Sequence, residues 1–217
     1  MDYYPNLHSI LVALQGIAAL IGLYYFKKLR KTHWEMFVIY LIVIFLQELF
    51  WTFSKGSIRT FAPSYYAYIG IPIQFLFFYW LYAYNSLKNR KLYFVFTIIY
   101  LVCCIPLEPI FGKIQFINSF NFTVGTLLLA FLVIIEFRKQ IRDDKILEFN
   151  QNKMFYVNIG VTLFYIGTYP YYAFRDLLAT EPYWSIRNNY YLYFLVANYL
   201  MYLLFTASFI WGKHRLK

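Results

Sequence analysis

Apolar residues come in seven long runs, over 9–26, 36–53, 65–84, 92–110, 116–137, 154–174 and 190–211, separated by short polar or basic joints. A helix rises 1.5 Å per residue, so crossing a hydrocarbon core of about 30 Å takes about 20 largely apolar residues. The pattern predicts an all-α, polytopic membrane protein with seven transmembrane helices in one domain spanning 1–217, with joints too short for a soluble domain. The third run organises the rest: Tyr65-Tyr66-Ala67-Tyr68-Ile69-Gly70-Ile71-Pro72-Ile73-Gln74-Phe75-Leu76-Phe77-Phe78-Tyr79 carries a Pro and a Gln near mid-depth, and the run stops at Lys88, Arg90 and Lys91. The last run has a similar shape, opening at Tyr190-Tyr191-Leu192-Tyr193, carrying Asn198 and stopping at Lys213.

Composition removes the soluble alternative. Of the 217 residues 61% are hydrophobic and 14% charged, against about a quarter charged in soluble domains. The 24 Phe and 24 Tyr supply large contact area, and Tyr adds a hydroxyl for an interface or a pocket. The net charge of +10 is confined to short clusters between apolar runs. That is how cytoplasmic loops meet anionic lipid, and no nucleic-acid-binding motif accompanies it. With the N-terminus outside, inner segments hold Lys27, Lys28, Arg30, Lys31, Lys88, Arg90, Lys91, Arg138, Lys139, Arg142, Lys145, Lys153, Lys213, Arg215 and Lys217. Only Lys55, Arg59, Lys113, Arg175 and Arg187 fall outside. The positive-inside rule thus predicts an outer N-terminus and a cytoplasmic C-terminus. Trp34, Trp51, Trp80, Trp184 and Trp211 fall at span ends or in a loop, as an interfacial belt requires. Met1-Asp2-Tyr3-Tyr4-Pro5-Asn6 lacks the positive start of a cleavable signal, so the first helix is expected to be retained.

Three landmarks recur in the same order. Phe26-Lys27-Lys28-Leu29-Arg30-Lys31 matches Phe137-Arg138-Lys139-Gln140-Ile141-Arg142; Met36-Phe37 matches Met154-Phe155; Tyr65-Tyr66-Ala67-Tyr68 matches Tyr190-Tyr191-Leu192-Tyr193. They outline a 3+1+3 parallel repeat, units 9–91 and 116–217 joined by the helix 92–110, which is a plan some transporters use. Chance alignment of aromatic, basic sequence is the competing explanation.

Glu48, beside Gln47 in the outer half of the second run, is the sharpest candidate. Intramembrane acids are costly and usually face the bundle interior. It reads as a ligand anchor, a proton carrier or a counter-ion to Lys55 or Arg59, against a structural ion pair or a carboxylate reaching the outer surface. Gln74 and Asn198 lie at matched depth, where amides also serve as helix-to-helix glue. Gln15, Asn121, Thr123, Thr168 and Tyr169 fall in outer halves. Pro72 and Pro170 are expected to kink their helices, whereas helix ends account for Pro106 and Pro109. Together these outline a pocket open to the outside. Glu108, Glu136, Lys153, Arg175 and Asp176, at span ends, are expected to be solvated. Ala18 and Gly22 form a small-xxx-small pair suited to close helix packing.

Several chemistries lack their residues. His8, His33 and His214 fall on opposite faces, so no intramembrane metal site is expected, and no cofactor. Cys103 and Cys104 are adjacent and expected to be free thiols. No lysine precedes Lys213 in the last run to form a retinal Schiff base, and no nucleophile elbow, zinc-protease motif or phosphate loop appears. An enzyme is not expected.

The stretch from Tyr65 to Tyr79 resembles one in a family of small bacterial seven-span proteins, where a Glu stands at the position of Gln74. Members of that family are often encoded near sensor histidine kinases. The resemblance implies a sensory or accessory role beside a partner such as a sensor kinase; the Gln removes any charge-dependent role at that position. The 3+1+3 layout also resembles the seven-helix sugar transporters, without their paired Pro-Gln signature. The expected function is a receptor-like or accessory module binding a small ligand or a partner helix. Transport of a small polar solute and a structural subunit of a membrane complex are the alternatives.

Overall fold

The computed structural model describes residues 5–104, 114–142, 146–178 and 180–213. Every regular element among them is helical. Helix α1 is Pro5–Leu29 and α2 is Trp34–Phe53; two single turns, α3 (Ser57–Thr60) and α4 (Ala62–Tyr65), lead into α5 (Ile71–Tyr79). Next come α6 (Arg90–Cys104), α7 (Ile114–Arg142) and α8 (Lys153–Val161). Two short helices, α9 (Tyr169–Ala173) and α10 (Arg175–Leu178), precede the long α11 (Trp184–Trp211). Among the described residues four helices are long and apolar enough to cross a membrane: Leu7–Leu29, Trp34–Phe53, Ser119–Arg142 and Glu181–Trp211. The other three apolar runs are also helical where described, but shorter or interrupted. Pro106, Glu108 and Pro109, in the fourth run, lie outside the described residues.

The interruptions have a chemical cause. Pro72 has no N–H to donate and its ring crowds the carbonyl one turn back. The turn before it, Tyr66–Gly70, widens to a π turn, with the Ile71 amide donating to the Tyr66 carbonyl. A second π turn, Trp80–Ser86, ends the same rod. In the sixth run the π turn Thr162–Ile166 precedes Pro170, and the chain breaks at Gly167 and Thr168 before α9. Both expected proline distortions are present. Tight basic turns close the joints: Lys31 and Lys88 stand at φ 70° and 55°, the left-handed conformation common just past a helix end.

Helix α1 packs on α2 and α11, and α11 on α8; α7 packs on α5, α6 and α9. Between apolar helices in lipid the attraction comes from close contact and interhelical hydrogen bonds. Ala18 is fully buried, and a Cβ at Gly22 would lie 3.3 Å from Val38 and Phe209, so the small pair brings α1 against both neighbours. Aromatic rings fill the middle. Phe37 meets Phe77, Phe205 and Phe209 at centroid distances of 5.9, 5.1 and 5.6 Å, and Tyr40 stacks on Phe77 at 4.0 Å. Such pairs add about 0.5–1.5 kcal/mol each beyond area burial.

Two span-end residues expected to be solvated are buried. Glu136 is 1% exposed and Lys153 5%. The Lys153 Nζ donates to the carbonyls of Gly212, at 3.3 Å, and Lys213, at 2.9 Å, so it caps the end of α11. Burial lowers its ammonium to about 8. These groups, with His33, Lys88 and Lys139, collect at one end of the bundle, hereafter the basic end. Burial, then Lys88, Lys153 and Lys139, lowers the His33 imidazole to about 4. Side chains of Arg175 and Asp176 lie outside the described residues.

Candidate functional site

At the end away from those lysines, the connection between α2 and α5 folds back over the first turns of α1. Gly56 makes the reversal possible at φ 60°, ψ −140°, a conformation that side chains resist. The Ser54 hydroxyl donates to the Phe50 carbonyl (2.7 Å) and closes α2, while Pro63 stands in the first turn of α4, where its missing N–H is harmless. This fold-back encloses a cavity of about 300 Å³ lined by His8 and Ser9 from α1, Glu48, Trp51 and Thr52 from α2, and Arg59, Ala62 and Tyr66.

Glu48 is the chemical centre of this cavity. The Tyr66 hydroxyl donates to its Oε1 at 2.8 Å, and the Gln47 amide reaches the same oxygen at 3.5 Å. Among the described residues no hydrogen bond reaches Oε2. Gln47 is fixed in turn by the Tyr65 hydroxyl, which donates to its Oε1 at 2.9 Å. The Thr52 hydroxyl donates to the Glu48 carbonyl at 2.7 Å and lies 3.4 Å from the His8 Nε2. Trp51 stands beside Tyr65 and Tyr66, with centroids 5.2 and 6.4 Å away. The result is a carboxylate with one oxygen held and the other open, walled by aromatic rings. Such a site accepts a hydrogen bond or a positive charge. Among the described residues no group of three His, Cys, Asp or Glu could hold a metal ion.

The other candidates lie elsewhere in the bundle. The Tyr165 hydroxyl donates to the Gln74 Oε1 at 2.7 Å, joining the sixth run to α5. The Gln15 amide donates to the Tyr202 hydroxyl at 3.3 Å, joining α1 to α11. The Asn121 amide donates to the Ala67 carbonyl at 2.9 Å, filling a bond site beside the π turn. Asn198 is buried on α11, and Tyr169 is half-buried at the start of α9; neither lines the cavity. Sequence reasoning missed two bonds of the same kind, Tyr82 to Asn158 at 2.9 Å and Tyr79 to the Gly125 carbonyl at 3.0 Å. It also missed His8, Trp51, Thr52 and Tyr66 as pocket residues. The available signal was depth: all four fall at the same predicted outer level as Glu48.

A second carboxylate is held differently. Ser86 donates to the Glu136 Oε2 at 2.7 Å and Gln140 to Oε1 at 3.0 Å, with the Lys139 ammonium 3.7 Å from Oε2. Lys139 also donates to the Ser86 carbonyl and hydroxyl at 2.8 and 3.0 Å. Both oxygens of Glu136 are engaged.

No protein-family model, curated protein or solved structure matches this chain.

Proposed function

We propose that the chain is a seven-span protein of a bacterial inner membrane, with the pocket facing outward and the basic end in the cytoplasm. It acts, without catalysis, as a receptor-like or accessory module that takes a small polar ligand at the Glu48 pocket. The observation that carries this reading is a carboxylate with an open oxygen, in a cavity at the end away from the lysine cluster. The positive-inside rule assigns that end to the exterior.

The rod that begins at α4 links the two ends. It carries Tyr66, on Glu48, at one end and Ser86, on Glu136, at the other. The π turns on either side of α5 absorb a change of register more readily than an unbroken α-helix. A ligand that pairs with the open oxygen of Glu48 weakens the bond from Tyr66 and moves Ser86, which a cytoplasmic partner such as a sensor kinase reads. A second reading, transport of a small polar solute between the two three-helix units, is favoured by the break at Gly167 and Thr168, because discontinuous helices flank many transport sites.

Proteoliposomes separate the two. Binding without flux supports the receptor; saturable uptake lost in Glu48→Ala supports transport. Absence of both, with co-purification of a fixed partner, leaves a structural subunit.

A further inference from the structure

We infer that the Glu48 pocket takes a small organic amine, with the ammonium seated on the Glu48 Oε2 between Trp51 and Tyr66. This rests on the pocket being a binding site, as proposed above.

The lining selects the chemistry. Tyr66 and Thr52 have already donated their hydroxyl protons, to the Glu48 Oε1 and the Glu48 carbonyl. The strongest open acceptor is therefore the Glu48 Oε2, and an ammonium is the donor that meets a carboxylate best. An anion would meet that carboxylate at close range. Aromatic faces beside a carboxylate favour an organic ammonium over a strongly hydrated inorganic ion. Size agrees: at about 30 Å³ per water-sized group, a cavity of about 300 Å³ holds a ligand of about ten non-hydrogen atoms. An ammonium can arrive free or as the headgroup of phosphatidylethanolamine.

The test is calorimetric titration of phenethylammonium, and of phenethyl alcohol as its uncharged analogue, into the full chain in phosphatidylglycerol nanodiscs. The amine should bind about tenfold or more tightly than the alcohol, the size of one lost charge-assisted bond. Glu48→Gln should remove that preference while leaving the alcohol unaffected. If phosphatidylethanolamine in the disc competes with the amine, the lipid headgroup is the source; if not, the free amine is. Equal binding of both probes to the unmodified chain overturns the ligand class, whether or not Glu48→Gln folds. In that event loss of both in Trp51→Ala still upholds the pocket. If neither probe binds at millimolar concentration, the pocket reading falls with the inference.

Discussion

Two carboxylates near opposite ends of the bundle, Glu48 half-buried and Glu136 buried, are held in different ways. Glu136 and Glu48 both sit one or two turns from a helix end and both accept from a hydroxyl, Ser86 in one case and Tyr66 in the other. At Glu136 each oxygen has a donor and a lysine stands 3.7 Å away. At Glu48 both donors converge on one oxygen, and the residue lines a cavity. Burial does not separate the two; the proposal for Glu48 rests on its open oxygen and on its place in the lining of a cavity.

The sharpest way to break this contrast is to remove each acid. Glu136→Ala leaves the Ser86 hydroxyl and the Gln140 amide without their acceptor, while the half-exposed Lys139 rehydrates, and should cost roughly 2–3 kcal/mol of stability, seen as early unfolding in detergent and loss of the monodisperse species. Glu48→Gln should lose amine binding and little stability, below about 1 kcal/mol, because the pocket can hydrate the amide. Ser86→Ala removes the donor to Glu136 and the acceptor from Lys139, for about 2 kcal/mol; Tyr66→Phe removes the matching donor to Glu48 for less than half of that. Equal losses in these two variants, measured by chemical unfolding, would erase the distinction.

The smallest effect belongs to acid titration of the basic end. The His33 imidazole titrates at about 4 in the folded chain, against 6.5 when unperturbed. Between those values the unfolded chain holds more protons, so stability rises with pH across that window and falls on acidification. His33→Gln should flatten the unfolding midpoint between pH 6.5 and 4, whereas Glu48→Gln should leave that slope unchanged.

Much of the fold was legible in the apolar pattern. Runs of apolar residues must be helices when backbone groups have no water to meet, and the seven runs are helical where described except at Gly167, Thr168 and Phe174 of the sixth. Pro72 and Pro170 announced their distortions because a missing N–H acts locally. Glu48 was legible because an acid in an apolar run is costly. The burial of Glu136 and Lys153 was not, since it depends on where Ser86 and Gly212 arrive from 50 and 59 residues away in sequence. Nor was the division of the amides between glue and pocket. Gln74 and Gln47 are the same residue type in similar runs; Tyr165 and Tyr65, brought by tertiary packing, decide their neighbourhoods.

The most direct test places one cysteine in the pocket, Ser9→Cys, and one in the joint at the basic end, Lys88→Cys, each with Cys103 and Cys104 replaced by serine. Labelling in intact cells by a membrane-impermeant maleimide should modify the first and spare the second, and phenethylammonium should slow the first reaction. Labelling of the Lys88 variant alone, or a Ser9 rate indifferent to the amine, would contradict an outward pocket built around Glu48.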